Sequence, residues 1–238
     1  LPDTHAGGDI GRANKGAANG LLAKLYLYQE KFDAAITAGS KVISGPYPLA
    51  GSFRDNFNIA TENNPEMLFA AQGSANWADV PQFWIAPRPW GGWDFHDPTQ
   101  DLVDEFEVGD PRLGMSIWKP GDMVDRGSIG ITEFTADLTA TGFAQTKYAT
   151  FDADGNLDNN QNVPILRSAD VYLLVAEAKI RKSGAGAGDT EINAVRDRVG
   201  LTSVSNAGMP ELIHERRVEL FGENQRHQDL MRWDKAGI

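Results

Sequence analysis

The sequence has no cysteine among its 238 residues, so disulfide bonds and cysteine-ligated metal sites are excluded. Histidine is scarce, and none of the four belongs to an HxH or HExxH pattern: His5, His96, His214 and His227. No glycine-rich loop has the spacing of a phosphate-binding or dinucleotide-binding motif. We therefore expect neither a metal site nor a cofactor.

Long apolar runs and an excess of basic charge are also missing. No run approaches the roughly 18 residues of a membrane-spanning helix. Lys and Arg number 22 against 33 Asp and Glu, a net charge of -11, which argues against nucleic acid and anionic membrane surfaces as partners. Nothing resembles a signal peptide, and the chain starts at Leu1 without a methionine, so we expect a mature or trimmed piece.

A helical pattern is present at both ends of the chain. From Gly11 the apolar spacing predicts one helix to about Gln29 and a second to about Ile43, which form a hairpin at 11–45. Four residues match the small and aromatic packing positions of a tetratricopeptide repeat: Ala23, Tyr26, Phe32 and Ala35.

The C-terminal part, 166–238, also reads as helical. We predict helices at Ser168–Lys182 and Asp189–Val199, with Asp189 as the N-cap of the second, and another helix from Glu211 to Glu223.

Charged residues interrupt the apolar stripes of these C-terminal helices. Glu177 lies among leucines on one helix, and Arg216 and Arg217 lie between apolar residues on another. An unpaired buried charge costs several kcal/mol, so the pattern predicts a partly buried ion pair. An acid/base site is one interpretation; a clamp between packed helices is favoured, because only His214 and His227 are nearby as further catalytic groups.

Between the helical ends, residues 46–165 read as a loop-rich insertion. Short elements are predicted within it: strands at 64–72, 113–118 and 142–151, and a helix at 101–107. No domain boundary is evident. We therefore predict an all-α, mainly α-helical fold in a single domain over residues 1–238, with tetratricopeptide-like helix hairpins and an insertion that carries short strands.

Residues 73–100 concentrate four of the six tryptophans among Pro, Gly and Asp. Flat rings pack against the apolar faces of sugars while nearby polar groups bond the hydroxyls. We expect about half of these tryptophans to seal the loop and at least one or two to bind a ligand. The candidate ligand-binding residues are Trp77, Trp84, Trp90, Trp93, Asp94, Phe95 and His96.

Two acidic segments have alternative interpretations. Oxygen-bearing side chains at Asp152–Asp158 resemble a calcium loop, but Val163 stands at the twelfth position, and an Asx/Gly turn is favoured. A second set beside the aromatic loop could be a glycosidase pair or a capped, solvated helix: Asp101, Asp104, Glu105 and Glu107. The solvated helix is favoured, and we predict no catalytic residue.

Several segments, in order, resemble the SusD/RagB family of outer-membrane glycan-binding lipoproteins. They are GRANKGAANGLLAKLYLYQEKFDAAITAGSKVISG, NPEMLFAAQ, GGWDFHDPTQDLVDEFEVGDPRL, LRSADVYLLVAEA and ERRVELFGENQRHQDLMRW. The chain is about half the usual length for that family and lacks its lipobox cysteine and first helical repeats. We therefore expect a C-terminal portion of such a protein, or a short member.

The resemblance implies a non-catalytic protein that captures oligosaccharide or polysaccharide at the bacterial cell surface. It implies delivery to a TonB-dependent (SusC-like) transporter and attachment to the outer membrane through a lipid anchor absent from this chain. It also implies that charges of the terminal helices are scaffold: Glu177, Arg216, Arg217, Glu219, Arg226, Asp229 and Arg232.

Two other functions stay open at this point. A tetratricopeptide-like scaffold would bind only peptide or protein, and its tryptophans would be buried. A glycosidase would hold two carboxylates about 5–9 Å apart across a cleft.

Overall fold

The computed structural model describes residues 1–73, 81–157 and 160–238. Its helices are α1 (Lys15–Tyr28), α2 (Phe32–Ile43), α3 (Pro81–Ile85), α4 (Gln100–Glu105), α5 (Arg112–Ser116), α6 (Ser168–Ser183), α7 (Asp189–Arg198), α8 (Met209–Glu219) and α9 (Arg226–Ala236). Its strands are β1 (Met67–Ala71), β2 (Ile117–Trp118), β3 (Met123–Asp125), β4 (Ile131–Glu133), β5 (Ala144–Gln145) and β6 (Val163–Arg167). Long helices and short strands confirm the predicted mainly α-helical class.

The described residues form two compact units. Unit 1 comprises Leu1–Asn56, Asn63–Ala71 and Pro164–Ile238, and unit 2 comprises Phe57–Glu62 and Gln72–Val163. Unit 1 therefore joins both helical ends of the chain, and unit 2 holds most of the loop-rich insertion. The single domain over 1–238 stays a prediction.

The predicted N-terminal hairpin is confirmed as α1 and α2. Asn14 caps α1, its side-chain oxygen accepting from the backbone N–H of Ala17 at 2.8 Å. Helix α2 comes very close to α6 at Gly39, where a Cβ would lie 2.3 Å from a methyl group of Val175. The predicted repeat positions take part in this packing: Ala35 is in a buried cluster with Leu27, Leu174 and Ala178, and Tyr26 and Phe32 pack against it.

The C-terminal helices differ from prediction at two ends. The N-cap of α7 is Gly188, so the prediction for Asp189 was wrong. Its carboxylate instead accepts from the backbone N–H groups of Asn206 (2.8 Å) and Ala207 (2.9 Å), which ties down the loop before α8. The predicted helix to Glu223 ends earlier, at Glu219, because the chain turns there before α9.

Two predicted strands of the insertion also need correction. Residues 113–118 are mostly α5, and only Ile117 and Trp118 are extended, as β2. Within 142–151 only β5 is regular, and it pairs antiparallel with β2. Short apolar runs of this length fit a helix turn or a strand equally well, so neighbouring segments decide between them.

Buried ion pairs hold the helices of unit 1 together. Glu177 is fully buried, but its partner is Arg232 of α9, whose Nη2 lies 2.6 Å from Oε2. Arg216 binds Asp229 at 2.7 Å and Asp170 at 2.9 Å. The predicted clamp between helices is therefore present, and the residue that completes it for Glu177 is neither Arg216 nor Arg217.

A second buried cluster surrounds Arg167, at the end of β6. Its guanidinium donates to three carboxylates, those of Glu66 (2.8 Å), Glu219 (2.6 Å) and Glu223 (2.6 Å). Burial alone would raise the pKa of the Glu66 carboxyl, but Arg198 and Arg167 hold it below its ordinary value. Both clusters fit the scaffold role predicted for the C-terminal charges.

Unit 2 has a core of its own, built from aromatic side chains. Trp90, Val124, Phe134 and Ala144 are buried together. Strands β3 and β4 pair antiparallel, with Val124 opposite Thr132. None of the helices in the described ranges is both long and apolar enough to span a bilayer.

Candidate functional site

The candidate site is a folded-back loop of unit 2. Its second arm, 92–95, is bonded to its first arm, 83–86, by backbone hydrogen bonds: Trp93 N–H to Phe83 O (2.5 Å), Phe95 N–H to Trp84 O (2.7 Å) and Asp94 N–H to Ala86 O (3.2 Å). Gly92 permits this approach, because a Cβ there would lie 1.9 Å from the carbonyl oxygen of Ala86. The loop is therefore held by its own backbone.

Three predicted rings lie at the surface of this loop. Trp84 is 36% exposed, Trp93 is 42% exposed and Phe95 is 61% exposed. Trp93 stacks on Phe83 with ring centroids 6.2 Å apart, and it contacts Phe95 at 5.7 Å. These contacts fix the orientation of Trp93 while leaving much of its surface open. We call Trp84, Trp93 and Phe95 the aromatic platform.

Trp90 does not belong to this platform. It is 5% exposed, and its ring makes edge contacts with Trp118, Phe134 and Phe151. A ring so covered has no face left for a sugar, so the structure removes Trp90 from the candidate ligand contacts and assigns it to the core of unit 2. Trp77 lies outside the described residues.

Polar groups flank the platform. The ring centroid of His96 lies 6.5 Å from that of Trp84. Arg88 donates from Nε to the carbonyl oxygen of Trp93 at 3.3 Å. Asp94 holds a left-handed backbone conformation with φ of 58°, which the tight return of the chain requires. Indole, imidazole, guanidinium and carboxylate groups are thus available around one surface.

Asp94 faces a second carboxyl, that of Asp97. Burial, then a hydrogen bond to Asp94 and its negative charge, raise the pKa of Asp97 to about 6. Among the described residues, Oδ1 of each group is buried without a hydrogen-bond partner when both are ionised. A proton on Asp97 supplies the missing donor. The second oxygen of Asp97 accepts from the backbone N–H of Ala140 at 3.2 Å.

Three members of the acidic set next to the loop, Asp101, Asp104 and Glu105, lie on a capped helix as favoured, whereas Glu107 follows the end of that helix. Thr99 caps α4, accepting from the N–H of Leu102 at 3.4 Å, and Gln100 donates to Asp104 at 2.8 Å. Asp101 lies in the first turn, where a carboxylate stabilises the helix dipole. These contacts account for the carboxylates as helix-stabilising surface groups.

The other acidic segment forms the predicted Asx/Gly turn. Oδ1 of Asp152 accepts from the backbone N–H groups of Asp154 and Asn156, each at 2.9 Å. Gly155 takes the positive φ of 85° that the turn needs. In the described part of the chain no group of three or more His, Asp or Glu side chains is arranged to hold a metal, and Asp158 lies outside it.

Comparison with known proteins gives one family. The model of the SusD family matches residues 55–237. A SusD-like protein of Bacteroides ovatus is 26% identical over 94% of this chain and 47% of its own length. The chain thus spans about half the length of the curated relatives it matches.

Solved structures agree on the fold. A SusD-like protein of Bacteroides fragilis superposes with a TM-score of 0.85 at 24% identity, over 99% of this chain and 57% of that protein. A laminarin-binding SusD-like protein superposes with a TM-score of 0.78 at 28% identity, over 99% and 58%.

Proposed function

The chain belongs to the SusD family, and from this premise we propose that it binds oligosaccharide or polysaccharide without chemically altering it. The whole protein would act at the bacterial cell surface, attached to the outer membrane as a lipoprotein. It would deliver the glycan to a TonB-dependent, SusC-like transporter.

The observation that carries this proposal is the aromatic platform. Trp93 is held by Phe83 and by backbone hydrogen bonds, so little side-chain freedom is lost when a ligand covers it. Its exposed ring offers an apolar plane, and the exposed His96 offers a hydrogen-bonding group for hydroxyls. The similar solved structure of a laminarin-binding SusD-like protein supports a glycan as the ligand here.

The proposal is tested by calorimetry or affinity electrophoresis against a panel of neutral oligosaccharides. The parent protein should bind at least one of them, and Trp93→Ala should weaken that binding by about tenfold or more. Covering one large apolar side chain contributes roughly 1.5–3 kcal/mol, and each 1.4 kcal/mol is a factor of ten in affinity.

The matched control is Ile131→Ala, which removes another exposed apolar side chain of unit 2, outside the loop. It should leave the affinity unchanged. A folded parent that binds no glycan would refute the proposal for this chain, and equal losses in both variants would refute the platform as the site.

A protein-binding scaffold is the second candidate, and α1 favours it. Small residues of α1 face the core, whereas Leu21, Leu25 and Tyr28 share its opposite face and are exposed. A helix that is apolar on both faces is typical of a helix covered on both sides. Loss of partner binding on Leu25→Asp, with glycan binding intact, would assign this face to a protein partner.

A further inference from the structure

Arg126 is a buried arginine with no carboxylate partner among the described residues. It directly follows β3 in unit 2 and is 9% exposed. Its guanidinium carbon lies 4.7 Å from the ring centroid of Trp90 and 5.1 Å from that of Phe151. Within residues 1–73, 81–157 and 160–238, its Nε is buried and has no hydrogen-bond partner.

Other buried arginines of the chain are built differently. Arg112 lies 2.8 Å from Asp110, and Arg167 and Arg216 each bind more than one carboxylate. For Arg167, burial acts to lower the pKa, but the surrounding carboxylates outweigh it and raise the pKa above its ordinary value. For Arg126, burial lowers the pKa and no neighbouring charge opposes it.

An arginine that is stacked on rings and has an unpartnered N–H group is suited to one ligand chemistry. The guanidinium stays charged and presents its donors as a planar fork, which matches the two oxygens of a carboxylate or a sulfate. Stacking against Trp90 and Phe151 orients the fork before a ligand arrives. A buried cation without an anion is costly, so a ligand anion would remove a cost that the folded protein already bears.

We propose that Arg126 recognises an oxyanion on the glycan, either the carboxylate of a uronic acid or a sulfate ester. This inference rests on the proposed glycan-binding function and narrows its ligand class. The ring that supports Arg126 belongs to the same loop as the platform, because Trp90 is only three residues from Trp93. Arg126 and the platform therefore belong to the same compact unit.

The net charge of -11 shapes what such a site can select. The overall field does not attract polyanions, so recognition has to come from the short-range contact. We therefore expect the single arginine to bind one acidic group on a glycan that is otherwise neutral or sparsely charged.

The test compares matched ligands on the parent chain. Each oligosaccharide backbone is offered in neutral form, oxidised at C6 to the uronate, and 6-O-sulfated. The parent should bind one acidic form at least about tenfold more tightly than the neutral form, and the preferred form identifies carboxylate or sulfate. In Arg126→Met, whose apolar stem still fits between the rings, that preference should disappear while neutral binding persists.

Arg126→Lys is the second variant, because it keeps the charge and loses the fork; it should lose most of the preference. Arg12→Met, which removes one exposed arginine of unit 1, is the control for net charge and should keep the preference for the acidic ligand. The NMR signal of the Arg126 Nε–H group should shift when methyl glucuronoside or methyl glucoside 6-sulfate is added.

The outcomes separate this inference from the proposed function. Binding of neutral and acidic forms with equal affinity, and no shift of the Nε–H signal, would overturn the role of Arg126 and leave glycan binding intact. The Nε–H signal is also compared between the parent and Asp158→Asn without any added anion. A difference between them would overturn the role of Arg126, since a carboxylate of the chain itself would then be its partner. Absence of any glycan binding, with a shift on adding the monosaccharide anions, would refute the glycan proposal and keep the oxyanion site.

Discussion

Unit 1 buries Arg167 and Arg216 against carboxylates, and unit 2 does the same with Arg112. Arg126 of unit 2 differs, because it is buried against rings, and other rings of unit 2 lie at its surface. In unit 1, Arg167 and Arg216 use their forks on groups of the same chain. In unit 2, Nε of Arg126 has no hydrogen-bond partner among the described residues, and the ring of Trp93 is partly exposed. Groups satisfied within the chain stabilise the fold, and groups left open are available to a ligand, so the difference separates scaffold from site.

The largest expected effect comes from Arg167→Met in unit 1. It would leave Glu66, Glu219 and Glu223 together in the core with one cation fewer, and removing one partner of a buried ion pair costs roughly 3–5 kcal/mol. Domains are stable by only about 5–15 kcal/mol, so the variant should lose a large share of its free energy of unfolding. Denaturant unfolding followed by circular dichroism measures this loss.

Arg126→Met is the matched change in unit 2, and it should cost far less, because no carboxylate is left unpaired. Arg12→Met, at an exposed ion pair, should change stability by about 1 kcal/mol or less. Similar losses in Arg167→Met and Arg126→Met would break the comparison between the two units.

Two tryptophans within unit 2 sharpen the comparison further. Trp90→Ala should reduce the free energy of unfolding by roughly 3–5 kcal/mol, the usual cost of removing a large buried aromatic side chain. Trp93→Ala should cost much less, because its ring is 42% exposed. Thermal unfolding of both variants measures these losses, and the glycan affinity of Trp93→Ala is measured beside them. Comparable losses of stability would contradict the assignment of Trp90 to the core and Trp93 to the binding surface.

The helices were predictable from sequence because their periodicity is local. The predicted helix at Ser168–Lys182 and the observed α6 differ by one residue at the C-terminal end. Glu177 was predicted to be buried and paired, since a carboxylate in an apolar stripe needs a cation. Its partner Arg232 was not predictable, because that choice depends on which helix packs against α6.

The sequence allowed us to predict that the loop is rich in candidate binding rings, but not which of those rings are buried and which are exposed. Trp90 and Trp93 are three residues apart among Pro and Gly, with no periodicity to tell a buried ring from an exposed one. Which ring is exposed depends on the folding of 92–95 back onto 83–86, through backbone hydrogen bonds and the close approach at Gly92. The pairing of Asp97 with Asp94 was not predictable for the same reason, since it exists only in the folded loop.

The two units should also differ in the sign of a pH dependence. Folding raises the pKa of Asp97 to about 6, so its contribution to stability is full below its unfolded pKa, about 3.9, and is lost as pH rises through about 6. Asp97→Asn, which keeps a neutral side chain, should therefore be more stable than the parent at pH 7 and lose that advantage towards pH 4.

Asp170 of unit 1 should behave in the opposite way. Burial alone would raise the pKa of its carboxyl, but Lys24 and Arg216 hold it below its ordinary value, so its contribution is lost as pH falls below about 4. Asp170→Asn should be less stable than the parent at pH 7, and the gap should narrow only in acid. Melting temperatures of the two variants and the parent between pH 3 and pH 8 measure both trends. Parallel curves for Asp97→Asn and Asp170→Asn would show that the two units do not treat buried charge differently.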